Sequence, residues 1–217
     1  MDRDSSAPGE HERPALGEVL NFGEETVPRP AATVILLRGG SEALEVLLVR
    51  RNPQARFMGG AWVFPGGSVN PDEGAGQQAL RGAAIRELAE EASVTISDPR
   101  QLVPFARWIT PAQVTIRFDT WFYLAPAPAD AQPVVDGDEI VDARWYRPSA
   151  ALEAGDSGEL LLVFPTIKQL EQLSGFDSAD ALIEHARSRE VLPVQPHVLL
   201  SGETARIVLP GEPGYGD

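Results

Sequence analysis

Residues 75–92 constrain this chain more than any other stretch. They are dominated by Ala, Leu, Glu, Arg and Gln, all good helix formers, and the interior Gly82 lowers that propensity only slightly. The stretch predicts a helix, and within it Arg86-Glu87-Leu88-Ala89-Glu90-Glu91 sets the problem to be solved. At 100° per residue Glu87, Glu90 and Glu91 fall within about 100° of one another, while Ile85, Leu88, Ala89 and Ala92 group on the far side. The helix is therefore expected to have an apolar face and a carboxylate face. Acids three and four residues apart repel by roughly 0.2–0.5 kcal/mol per pair, so the cluster is a liability unless something positive joins it. Ala83 and Ala84, one turn earlier on the acidic side, are expected to leave room for that approach.

Carboxylates at this spacing can supply several oxygen ligands to a hard divalent cation from a rigid scaffold. Mg²⁺ or Mn²⁺ suits them better than zinc, since the chain has no Cys and none of its three His lies near in sequence. The bland reading of three acids within five residues is a solvated surface helix. The loop upstream weighs against it. Phe64-Pro65-Gly66-Gly67 runs from a short strand into a turn, and paired glycines let backbone approach a ligand closely.

Composition narrows the setting. With 32 acidic against 18 basic residues the formal charge is −14, which leaves little with which to neutralise a nucleic-acid backbone. An acidic protein that takes a phosphorylated ligand needs a positive group at the site, and a bound divalent cation provides one. The absence of Cys removes disulfides, thiolate nucleophiles and iron–sulfur clusters, and accords with a reducing compartment. No apolar run approaches the ~18 residues of a membrane span, and no apolar stretch follows the first six residues as a secretory signal would require. The expected location is cytoplasmic.

The 217 residues predict one domain. Residues 1–27, polar and rich in Glu, Gly and Pro, are expected to form a flexible arm, residues 28–210 the domain, and residues 211–217 a loose tail. Strands are expected at 31–38 and 44–51 around the turn Gly39-Gly40-Ser41, then at 102–109, 117–124 and 140–146. Helices are expected to open at Pro148, at Pro165-Thr166 and at Ser178, with two short extended pieces over 198–210. Strands before, between and after helices suggest an α/β or α+β layered domain in which helices cover a mixed sheet. Gly74-Ala75-Gly76-Gln77-Gln78-Ala79 spells a degenerate dinucleotide fingerprint but does not end a strand, so it reads as a loop. Asp136-Gly137-Asp138-Glu139 lacks calcium-loop spacing and reads as an acidic turn, with Glu139 set apart below. Trp62, Trp108, Trp121 and Trp145 read mainly as core, with room for one to line a pocket.

Gly67, five residues, Glu73, and then Arg86-Glu87-Leu88-x-Glu90-Glu91-x-Ser93-Val94 resembles the signature box of the Nudix hydrolases. There are two departures. Twelve residues stand between Glu73 and Arg86 where the usual box has seven, and Ser93 takes the position of the box glycine. Beyond the box, Arg56-Phe57-Met58, Ala61-Trp62-Val63-Phe64-Pro65-Gly66-Gly67, Phe105-Ala106-Arg107-Trp108-Ile109-Thr110-Pro111, Arg117-Phe118-Asp119-Thr120 and Pro165-Thr166 resemble the coenzyme A and acyl-CoA diphosphatase branch, which also carries a lengthened box.

The resemblance implies a Nudix α/β/α sandwich and hydrolysis of the diphosphate linkage of a nucleoside diphosphate derivative, with CoA or acyl-CoA the leading substrate. It implies Mg²⁺ or Mn²⁺ held by Glu87, Glu90, Glu91 and the backbone carbonyl of Gly66, with Arg86 orienting the helix carboxylates by pairing. Glu139, six residues before Trp145, stands where many members place a further acid, with Asp136 and Asp138 in reserve. Glu91 and Glu139 are the two candidates to accept the water's proton. Arg107 and Arg117 are candidates to hold substrate phosphates, with an ion pair as the alternative for each. Often-dimeric relatives imply a homodimer. Two other readings stay open: ADP-ribose or NADH as substrate, and a Nudix-like module that senses a nucleotide without hydrolysing it.

Overall fold

The computed structural model describes residues 23–41, 43–201 and 204–215. Most of the expected arm, residues 1–22, lies outside the described residues, as do Gly202 and the last two residues of the expected tail.

The fold grows from β1 (Arg29–Arg38), whose residues 31–37 are nearly all apolar. Because side chains alternate along a strand, Ala32, Val34 and Leu36 pack into one core while Ile35 and Leu37 pack into the other. A strand buried on both faces needs cover on both, and the helices supply it. α1 (Gly76–Ala92) covers the first face, with Leu80, Ala83, Ala84, Leu88 and Ala92 in that core. α2 (Pro148–Asp156), α3 (Phe164–Leu173) and α4 (Ala179–Arg187) cover the second, through Ala151, Leu170, Leu173 and Leu182. This is the expected α/β/α sandwich.

Between the helices lies an eight-stranded mixed sheet in the order β3 (Trp62–Val63), β2 (Glu45–Arg51), β1, β6 (Phe118–Pro126), β5 (Val103–Ile109), β8 (Pro193–Val194), with β4 (Gly66–Ser68) paired to β1 and β7 (Ile140–Tyr146) to β2. β1 runs antiparallel to β2 and parallel to β6. β5 runs antiparallel to β6. β3 and β8 are two-residue edges, and β9 (His197–Ser201) pairs with β10 (Thr204–Val208) in a separate hairpin. Pro148 and Pro165 stand in the first turns of α2 and α3, and the Ser178 hydroxyl caps α4 by accepting from the Ala181 amide. Tyr215 donates to the Gln195 carbonyl at 2.9 Å and stacks on His197.

Candidate active site

Two short pieces of chain build the site. The first is β4. Its ladder with β1 bonds Val34 to Pro65 and Val69 to Pro30, so the alternate residues Gly66 and Ser68 turn their amides and carbonyls away from β1. The Gly66 amide donates to Glu91 Oε2 at 2.9 Å, and the Ser68 carbonyl accepts from Arg86 Nη2 at 3.0 Å. Proximity requires glycine at position 66, where a Cβ would stand 2.5 Å from the Ala32 carbonyl, while one on Gly67 would stand 2.3 Å from Glu87 Oε1 and displace that carboxylate.

The second piece is the last two turns of α1, where the structure corrects the expected division of faces. The buried stripe runs through Leu80, Ala83, Ala84, Leu88, Glu91 and Ala92, so Glu91 lies on the core side, 3% exposed. Ala83 and Ala84 are fully buried and leave no opening. Glu87 is half-buried beside Gly67, whereas Glu90 points outward with 58% of its side chain exposed. The two departures from the box are absorbed at opposite ends of the helix. The longer spacing becomes a short link at Gly74-Ala75 and added helix from Gly76 to Arg86, and Glu73, at the end of a 3-10 turn over Pro71–Glu73, still receives Arg86 Nε at 2.8 Å. Ser93 takes the left-handed conformation (φ 55°, ψ 27°) at the helix end, which a glycine adopts without a Cβ penalty.

Arg86 organises the acids. Besides Glu73 and Ser68 it binds Glu87 at 2.7 Å and Glu90 at 2.9 Å, both through Nη1. The Arg86 bond holds the Glu73 carboxyl below its ordinary pKa, and these acids raise that of Arg86. Burial pushes the Glu87 carboxyl up against the pull of Arg86. Burial dominates at Glu91 too, raising it to about 8. The Gly66 amide opposes that rise, and the charges of Glu87 and Glu139 add to it.

Glu139 comes from the turn that leads into β7. Asp136 accepts the amides of Asp138 and Ile140, which shapes the turn, and Asn52 binds the Asp138 and Glu139 carbonyls, which fastens it to the end of β2. Gly66, Gly67, Glu87, Glu91 and Glu139 thus line one cavity of about 490 Å³, together with Arg51. Its remaining wall is largely apolar, built from residues such as Phe57, Met58, Trp108, Ile116, Phe118 and Phe164. Arg51 was not singled out from the sequence. Only the register of β2 against β3 and β7 puts this arginine, one of an Arg50-Arg51 pair, at the mouth of the acids.

Neither Arg107 nor Arg117 lines this cavity. Arg107 forms a bidentate pair with Asp119 at 2.8 and 2.7 Å, which satisfies its fork. Arg117 is buried, its guanidinium bound to the Glu25 carboxylate and to the carbonyls of Thr26 and Thr110. It clamps the chain leading into β1, and both arginines thus make the ion pairs that stood as the alternative to holding phosphate.

Among the described residues no three acidic or histidine side chains already converge as a metal cage, and Arg86 Nη1 stands between Glu87 and Glu90. The donor set nevertheless fits a hard cation. Glu87, Glu91 and Glu139 offer only oxygen, the Gly66 carbonyl points away from β1 beside them, and among the described residues Glu91 has no ion pair, though Arg51 lines the same cavity.

Fold and site together define a hydrolase built on a Gly-Gly strand and an acidic helix. The family model described as the NUDIX domain matches residues 27–163, and the chain belongs to the Nudix family and is a Nudix hydrolase. It is 25% identical to the putative nudix hydrolase 7 of Caenorhabditis elegans over 225 residues, 87% of this chain and 75% of that protein. It is 29% identical to the acyl-coenzyme A diphosphatase NUDT19 of Homo sapiens over 116 residues, 51% of this chain and 31% of that protein. The crystal structure of a NUDIX hydrolase from Alicyclobacillus acidocaldarius superposes with a TM-score of 0.65 at 28% identity, covering 73% of this chain and 96% of that one. The NUDIX domain of Shewanella oneidensis NrtR, solved with ADP ribose, shares the fold at a TM-score of 0.51 and 20% identity, covering 68% and 86%. Among the described residues no helix is long and apolar enough to cross a membrane.

Proposed function

We propose that this Nudix hydrolase cleaves the diphosphate linkage of CoA or acyl-CoA, with Mg²⁺ or Mn²⁺ held by Glu87, Glu91 and the Gly66 carbonyl, and by Glu90 once it leaves Arg86. The observation that carries the reading is the composition of the cavity. Carboxylates gather at one end against a glycine strand, and an apolar wall suited to a long, weakly polar substituent extends from it. The segments shared with the acyl-CoA diphosphatase branch and the partial likeness to the human acyl-coenzyme A diphosphatase support the same substrate class.

When bound, the cation neutralises phosphate oxygens and acidifies the attacking water. The chain's own residues do the rest. Glu139, on a turn anchored by Asn52, or Glu91, buried beside Gly66, accepts the water's proton. Arg86 touches no reacting atom and acts as a positioning residue, fixing the helix carboxylates through Glu73 and Ser68. The water oxygen bonds to one phosphorus as the bridging P–O bond breaks, and the departing phosphate takes the electron pair.

Turnover of CoA, an acyl-CoA, ADP-ribose and NADH, measured side by side with Mg²⁺ and with Mn²⁺, tests the proposal. The two CoA substrates are expected to lead. Preference for ADP-ribose or NADH would overturn the substrate assignment, and silence across the panel would favour a nucleotide-sensing module.

A further inference from the structure

Alternate residues of β6 look to opposite sides of the sheet. Thr120 and Phe122 line the carboxylate cavity, and Trp121 between them lines a second cleft of about 660 Å³. That cleft lies among the N-terminal half of α1, the start of β5 and the end of α4. Arg81, Arg100, Arg187 and Arg189 border it, with Glu190 as the acid in its wall. Four of the chain's 18 basic residues are thus gathered in one concavity of a protein whose net charge is −14.

Little in the fold neutralises them. Arg100 pairs with Asp98 on the surface, but among the described residues Arg81, Arg187 and Arg189 have no ion pair. Arg189 donates to the Phe105 carbonyl at 2.8 Å and lies over the Phe105 ring, which holds the side chain without cancelling its charge. Arg81 is fixed in the same manner over Tyr123, reaches the Leu102 carbonyl only at 3.5 Å, and keeps its Nε buried with no hydrogen-bond partner. Guanidinium groups steadied by rings and carbonyls, with donors to spare, are suited to the oxygens of phosphate. The volume suits a small ligand, and the charges surround one hollow instead of forming the track a nucleic-acid backbone needs.

We propose that this cleft is a second ligand site, separate from the carboxylate cavity, which takes a small polyphosphate anion. The proposal does not depend on the substrate assigned above. The test is calorimetric titration of the full chain in EDTA with inorganic tripolyphosphate and with ATP. Wild type is compared with Arg100→Glu/Arg187→Glu, two exposed positions whose exchange is checked by an unchanged melting transition, and with Glu91→Gln. Saturable binding to one site is expected in wild type and Glu91→Gln, weakened at least about tenfold in the double variant. No saturable binding, equal affinity in the double variant, or loss of binding in Glu91→Gln would overturn it. So would stronger competition by poly-glutamate or by an oligonucleotide lacking terminal phosphates.

Discussion

The two hollows flanking β6 solve the same electrostatic problem with opposite signs. In the carboxylate cavity one arginine, Arg86, ties down Glu73, Glu87 and Glu90, while the buried Glu91 has, among the described residues, only the Gly66 amide as a hydrogen-bond donor. In the arginine cleft, carbonyls and aromatic rings fix Arg81 and Arg189, and Arg100 is the one paired with an acid, Asp98, among the described residues. Holding like charges together requires a fastening that does not cancel them. The acids are fastened by a shared counter-ion at one edge of their group, and Arg81 and Arg189 by groups that carry no net charge.

The sharpest way to break this comparison is to remove the acids that have no direct counter-ion. Glu91→Gln is expected to lower diphosphate hydrolysis by on the order of 10²–10⁴-fold, and chelation of the divalent cation is expected to abolish it. Steady-state rates in a metal-buffered assay check both. Next is Arg86→Gln, which leaves Glu73 and Glu87 without their cation. A loss of about 2 kcal/mol in urea unfolding is expected, less than for a fully buried pair because Arg86 keeps 26% of its side chain exposed.

Acidity separates the acids further. The folded pKa of Glu91, about 8, lies above its ordinary value of 4.5, so the folded state binds the extra proton. The corresponding stability is complete below about 4.5, declines as pH rises, and is gone above about 8. Glu73 has the opposite sign: its folded pKa is depressed, so its contribution is present above 4.5 and lost as pH falls through the lower folded value. Thermal melts of the metal-free protein between pH 5 and 9 are expected to show the Glu91 decline, and Glu91→Gln is expected to flatten it. The smallest effect belongs to the helix end below these acids. Ser93→Gly, which removes a Cβ from a left-handed residue, is expected to add roughly 0.5–1 kcal/mol in the same unfolding assay.

Much of this architecture was legible because burial writes a pattern into the chain. β1, β2, β5, β6 and β7 follow their apolar runs, and α1 begins within one residue of the expected start. β4 was not expected as a strand, since Gly66-Gly67-Ser68 has no β-forming side chains and is recruited by the ladder of β1. The inward turn of Glu91 was also hidden. Apolar arithmetic assigns a carboxylate to the water side, and only the Gly66 amide opposite it explains the reversal. Arg107 and Asp119 are neighbours through the β5–β6 register, and Arg117 meets Glu25 from 92 residues away, so neither pairing leaves a local trace. The pairing of Glu73 with Arg86 survives its longer spacing because the extra residues coil into helix, which returns the chain to the same place.

β6 has no face to spare. Hydrogen-bonded between β1 and β5, it gives Thr120 and Phe122 to one hollow and Trp121 to the other. A tilt of that strand reshapes both at once, so the two cannot be tuned independently through it. Independent adjustment falls to the helices and loops that close each hollow from outside.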